Sequence, residues 1–87
     1  MKHFVYLLIS YHKKKLITYV GYTTNVKKRL KLHNSSKGAK FTRGRNWKIV
    51  YKKCYKNKSE AMKNEYLLKK NQKKRKKIKD NFFKKKI

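Results

Sequence analysis

Three carboxylates, Glu60, Glu65 and Asp80, are all the acid chemistry that this 87-residue chain offers. A site built on two metal ions draws on several converging carboxylates. Glu60 and Glu65 are five residues apart and would point about 140° apart on a helix, so a two-metal centre within one chain is not expected. Glu65 has Ala61 and Leu68 at i−4 and i+3 and Met62 at i−3, which sets it in the apolar stripe of a helix that should face a sheet. A carboxylate there stays charged only if it is paired or metal-bound. Two readings follow: a salt bridge to one of the many lysines, or one divalent cation held by a single carboxylate, water and substrate phosphate, as Mg²⁺ usually is.

Arg29 and His33 are i and i+4, neighbours on one helical face. Arg29 stands among Lys27, Lys28 and Lys31, in a chain with 25 Lys and 4 Arg. Unless it is there by chance, it marks a place where a planar, bidentate cation matters, as at a phosphate. His33 belongs to the same site or is an ordinary residue of the helix C-terminus, favoured by the helix dipole. Tyr6 and Tyr19 lie on separate strands, and antiparallel pairing would bring both rings to one face. With seven tyrosines in the chain, each also has a purely structural reading. A tyrosine acting as general base starts from a pKa of about 10; nearby positive charge and a bound metal would have to bring it down. Cys54 reads as a small strand residue, with no motif that pairs it with a histidine.

The composition narrows the partner. Against 29 Lys+Arg there are 3 Asp+Glu, a formal charge of +26, which repels itself in a compact chain unless polyanions or counterions screen it. Compositional drift toward lysine explains most of this surplus equally well. The sign favours nucleic acid over an acidic membrane, because no segment has a strongly amphipathic membrane-surface pattern. No apolar run approaches the roughly 20 residues of a membrane span. The apolar N-terminal run reads as a strand rather than a signal peptide. One cysteine excludes an internal disulfide and suits a reducing, cytoplasmic compartment.

The elements that must position these residues can be read from periodicity. Phe4–Ile9 is a strand buried on both faces, Ser10–Lys15 a basic hairpin loop, and Leu16–Tyr22 a second, antiparallel strand. Thr24 or Asn25 caps a helix through Val26, Leu30 and His33, which Asn34–Gly38 breaks. A loop to Arg45 carries Lys37, Lys40, Arg43 and Arg45. Trp47–Tyr55 is a third strand with Ile49, Tyr51 and Tyr55 on one side. Asn57-Lys58-Ser59-Glu60 resembles a capping box opening a helix from Lys58 to about Lys70. From Gln72 to Ile87 the i, i+4 pairs Ile78/Phe82 and Phe83/Ile87 favour a helix that frays at its end over a solvated basic tail. The result is an α+β domain with a small antiparallel or mixed three-stranded sheet flanked by helices, in the order β-β-α-β-α-α.

Phe4-Val5-Tyr6, Tyr19-Val20-Gly21, Asn25-x-x-x-Arg29-Leu30-x-x-His33-Asn34, Gly38-Ala39-Lys40-x-Thr42-Arg43-Gly44 and Ser59-Glu60-Ala61-x-x-x-Glu65 follow in order. Together they resemble the GIY-YIG endonuclease superfamily, within it the compact branch related to Slx1-type and UvrC N-terminal nuclease domains. The resemblance implies a nuclease domain over residues 1–75, with 76–87 a basic helix or tail completing it. It implies phosphodiester hydrolysis with one Mg²⁺ or Mn²⁺ on Glu65. Tyr6 would be the general base, and Tyr19 would position the water or share that role. Arg29 and His33 would lie at the scissile phosphate, and Gly21 would leave room for substrate. Lys37, Lys40, Arg43 and Arg45 would hold the flanking backbone. Three positions depart from the family pattern. Phe4-Val5 replaces Gly-Ile, and Tyr22 stands where some relatives carry a lysine near the base, so another cation must take that part. Asn71 is the candidate for an asparagine that some relatives carry.

The expected substrate is DNA, in branched, nicked or damaged form, recognised through its backbone or with a protein partner for targeting. RNA is the lesser expectation. The rival class is a basic nucleic-acid-binding protein that keeps this fold without turnover.

Overall fold

β1 (His3–His12), β2 (Lys15–Thr23), α1 (Val26–Asn34), a short 3₁₀ turn (Lys40–Thr42), β3 (Lys48–Tyr55), α2 (Lys58–Lys70) and α3 (Gln72–Lys84) succeed one another along the chain. The computed structural model describes residues 2–12 and 14–84. The order β-β-α-β-α-α is the one the sequence leads to. The sheet is wholly antiparallel, with β1 between β2 and β3.

Central position explains why β1 is an unbroken apolar run: residues 5–10 are all buried. Alternation sends its side chains to opposite faces. Val5 and Leu7 join Val20, Ala61 and Leu68 in one core under α2 and α3. Tyr6 and Leu8 join Trp47 in a second, with Ile17, Tyr19, Ile49 and Leu30 of α1 against it.

Four expectations change. The hairpin loop is shorter than Ser10–Lys15, because Ser10, Tyr11 and His12 pair with Ile17, Leu16 and Lys15. The connection passes through Lys14, whose φ is +65°. The third strand starts at Lys48, since Trp47 is turned into the core at 2% exposure. Ile49 and Tyr51 do not share a side. Leu7 pairs with Tyr51 and its neighbour Leu8 with Ile49, so Val50 is the extra residue of a β-bulge. Ile49 therefore faces the Trp47 core, while Tyr51 and Tyr55 face the other. Met62 is 41% exposed, although its stripe companions Ala61 and Leu68 are buried.

The helices end where their sequences supply partners. Asn25 Oδ1 accepts the Lys28 amide at 3.1 Å, so Asn25 is the cap of α1. Asn57 accepts the Glu60 amide at 2.8 Å and opens α2. Asn71 closes α2 and opens α3: its amide donates to Leu67 and Leu68, and its Oδ1 accepts the Lys74 amide at 3.0 Å. Arg75 donates to the carbonyls of Leu68 and Lys69 at 3.1 and 2.9 Å, satisfying the last turn of α2. Ile78 packs against the core, so α3 is a docked helix through Lys84. The Phe83/Ile87 pair falls partly outside the described residues.

Candidate active site

Tyr6 and Tyr19 arrive on one face because of register. Tyr6 pairs with Gly21 and Leu8 with Tyr19, so the two tyrosines are diagonal neighbours. α1 lies over this face and brings His33, one helical turn beyond Arg29. Tyr6 is 2% exposed and His33 0%. The Tyr6 hydroxyl and His33 Nε2 are 2.9 Å apart, and Nδ1 lies 2.8 Å from Thr42 Oγ1.

The direction of these bonds follows from counting protons. Thr42 has one hydroxyl hydrogen, and it goes to the Ala39 carbonyl at 2.8 Å. Thr42 Oγ1 must therefore accept from His33 Nδ1–H. His33 Nε2 is then a bare lone pair, and Tyr6 donates its O–H to it. Burial and the charge of Arg29 hold the imidazole below its usual range, so it is neutral at pH 7. The result is a buried imidazole whose free nitrogen faces a tyrosine proton.

A tyrosine acting as general base would need its pKa drawn down by positive charge and a bound metal. Here burial dominates and pushes that of Tyr6 up to about 12, with Tyr19 and Glu65 adding to the rise. The nearby Arg29 guanidinium offsets only part of it. Arg29 is thus the cation beside Tyr6. Tyr22, at the position where some relatives carry a lysine, bonds His3 Nδ1 at 2.7 Å and packs in the opposite core.

Two glycines are shaped by this pair. A Cβ on Gly21 would strike the Tyr6 hydroxyl and Cζ, and one on Gly38 would lie 3.0 Å from His33 Cε1. The space beside Gly21 is filled by Tyr6 rather than left open. Nor is Gly38 the helix-ending glycine. α1 closes on Ser36 at φ +62°, with the Ser36 amide on His33 O and the Lys37 amide on Leu32 O.

The loop after α1 is clamped. Asn34 Oδ1 accepts the Trp47 amide at 2.6 Å and its Nδ2 donates to the Trp47 carbonyl, while the Trp47 indole donates to Thr42 O at 2.9 Å. Lys37, Lys40 and Arg43 are exposed on this loop. Arg45 departs from them: its Nε turns in to Ser10 Oγ at 3.3 Å. His33 is likewise enclosed by Tyr6 and Thr42 rather than open to a phosphate. Thr42 and Gly38 were visible in the sequence as motif letters, but nothing there tied them to the imidazole.

Glu65 is 15% exposed at its side chain and pairs with Lys69, four residues on, at 3.5 Å. Its charge reaches Tyr6, whose pKa it helps to raise. Among the described residues no group of three His, Cys, Asp or Glu side chains gathers. The donor set fits a cation that takes one carboxylate and fills its remaining positions with water and phosphate, as Mg²⁺ does. A concavity between the end of α2 and the start of α3 is lined by Asn64, Leu67, Asn71 and Lys74, among others, and includes none of Tyr6, Tyr19, Arg29 or His33.

A family model described as the GIY-YIG catalytic domain matches residues 2–79. The chain is 45% identical over 69 residues to a UPF0213 protein of Oceanobacillus iheyensis, covering 78% of this chain and 77% of that one. It is 55% identical over 53 residues to a UPF0213 protein of Bacillus licheniformis, covering 60% and 55% respectively. Among solved structures, the solution NMR structure of a UPF0213 protein from Bacillus halodurans matches at 38% identity and a TM-score of 0.49. That match covers 92% of this chain and 84% of that one.

Proposed function

The chain belongs to the GIY-YIG catalytic-domain family, and on that premise we propose that it is an endonuclease that hydrolyses phosphodiester bonds in DNA. The observation that carries the reading is the buried bond from Tyr6 to a neutral His33, itself oriented by Thr42. A hydroxyl with a pKa near 12 is a poor base alone. With His33 Nε2 as acceptor it need not ionise beforehand.

Water would give its proton to Tyr6 Oη while the Tyr6 proton passes to His33 Nε2. The water oxygen forms the new bond to phosphorus, the bond to the leaving oxygen breaks, and that oxygen takes a proton from solvent. Arg29, whose charge acts on Tyr6, would meet the charge that grows on the phosphate. Tyr19, edge-on to His33 at 5.1 Å between centroids, would keep the ring in place and border the water. Mg²⁺ or Mn²⁺ on Glu65, when bound, supplies positive charge to the phosphate. Lys37, Lys40 and Arg43 would contact the flanking backbone, making affinity fall steeply with salt.

The test is nicking of supercoiled plasmid with Mg²⁺ or Mn²⁺. The expected result is nicking by the native chain and none by Glu65→Gln, with DNA binding retained. Binding without cleavage under either ion would instead favour the non-catalytic reading.

A further inference from the structure

Phe41 is 58% exposed, although it sits on a loop clamped by two buried neighbours, Thr42 at 0% and Trp47 at 2%. Its ring is held, not loose. It stacks on Tyr19 at 6.1 Å and 23° between planes, and leans on Trp47 at 6.4 Å. Tyr19 in turn lies against His33, the partner of Tyr6. One side of the Phe41 ring thus rests on the wall of the site while much of the rest is open, and Lys37, Lys40 and Arg43 on the same loop are exposed. An aromatic platform bordered by cations is the arrangement that takes single-stranded nucleic acid: bases stack on the ring and phosphates meet the charges. A base within a continuous duplex is already stacked on both faces and cannot use it.

We infer that Phe41 stacks an unpaired nucleobase of the nucleotide next to the scissile phosphate, so the substrate class is a strand with an unpaired base beside the cut. Flaps, overhangs and loops qualify, and an uninterrupted duplex does not. The inference rests on the proposed nuclease reading for the word "scissile". The stacking itself does not need turnover.

The test is fluorescence-anisotropy binding of the full chain, without divalent ions, to three labelled probes. These are a short single-stranded DNA, the same sequence as RNA, and a blunt-ended, uninterrupted duplex. Phe41→Ala should weaken binding to the preferred single strand about 5- to 100-fold, and duplex binding by no more than about twofold. Phe41→Tyr should restore single-strand affinity, and Phe41→Leu, apolar but without a π face, should not. The DNA and RNA arms identify the sugar. A 2-aminopurine base in the probe should be quenched by the native chain and less by Phe41→Leu. Equal losses on duplex and single strand, no loss on either, or full rescue by Leu would overturn the inference. Because the measurement excludes divalent ions, absence of cleavage by the native chain leaves its result readable. Loss of stacking likewise leaves the plasmid test readable.

Discussion

One strand serves two unlike faces. Toward α2 and α3, β1 presents Val5 and Leu7, packed on Val20, Ala61 and Leu68. Toward α1 it presents Tyr6, Leu8 and Ser10. There the buried neighbours include His33 and Thr42, and the contacts are hydrogen bonds with a fixed sense as well as packing. The first face is held by area removed from water, which is tolerant of shape and silent chemically. The second depends on every member having its partner, because a buried polar group left alone costs more than its bond contributes. The comparison teaches that stability and chemistry are separable here, and mutations can show it.

The largest loss of stability belongs to the apolar face. Leu7→Ala should cost about 2–5 kcal/mol, lowering Tm by roughly 10 °C or more in a domain of this size, while cleavage per folded molecule stays near native. If cleavage falls as far as it does in the variants below, the separation between faces fails. Gly21→Ala comes next, at about 1–3 kcal/mol. Its Cβ collides with Tyr6, so cleavage should drop along with Tm, and the two losses can be read from one preparation. Thr42→Val keeps the shape but leaves His33 Nδ1–H buried without an acceptor. The stability loss should again be about 1–3 kcal/mol. Cleavage should fall too, because the imidazole loses the bond that fixes its bare nitrogen toward Tyr6.

The smallest effects are those of pH. His33 has a folded pKa below its unfolded value of 6.5. Its contribution is intact above 6.5 and is lost as pH falls from there through the folded value, since only the unfolded chain then gains the proton. Tyr6 has the opposite sign: raised from 10.0 to about 12, its contribution is intact below pH 10 and lost as pH rises toward 12. Urea titrations at several pH values, with His33→Gln and Tyr6→Phe as controls, should flatten the acid and alkaline limbs respectively. An unchanged acid limb in His33→Gln would show that another group sets it.

The apolar face was the more legible in the sequence. Periodicity alone places the buried run of β1 and the stripe of Ala61 and Leu68, and Asn57 with Glu60 marks the start of α2. What it misassigned there has a local cause: the bulge at Val50 shifts register by one residue, and a shift of one moves a side chain to the other face. For the chemistry the sequence named Tyr6, Arg29, His33 and Glu65, because each is an exception in a lysine-rich chain or a motif position. It did not reveal that Tyr6 and His33, 27 residues apart, share a proton. Nor could it show that Gly21 and Gly38 exist to admit their rings, or that Arg45 turns inward. Those depend on distances set by the fold. Burial also raises the Tyr6 pKa that a general base would need lowered, and a sequence counts charge but not desolvation.

The most direct test of the central claim, that Tyr6 is the proton acceptor of a hydrolytic site, is single-turnover cleavage by Tyr6→Phe, with DNA binding and Tm measured on the same protein. The account predicts a cleavage rate lower by about 10²- to 10⁴-fold, with affinity for DNA retained. Cleavage by Tyr6→Phe at the native rate would contradict it.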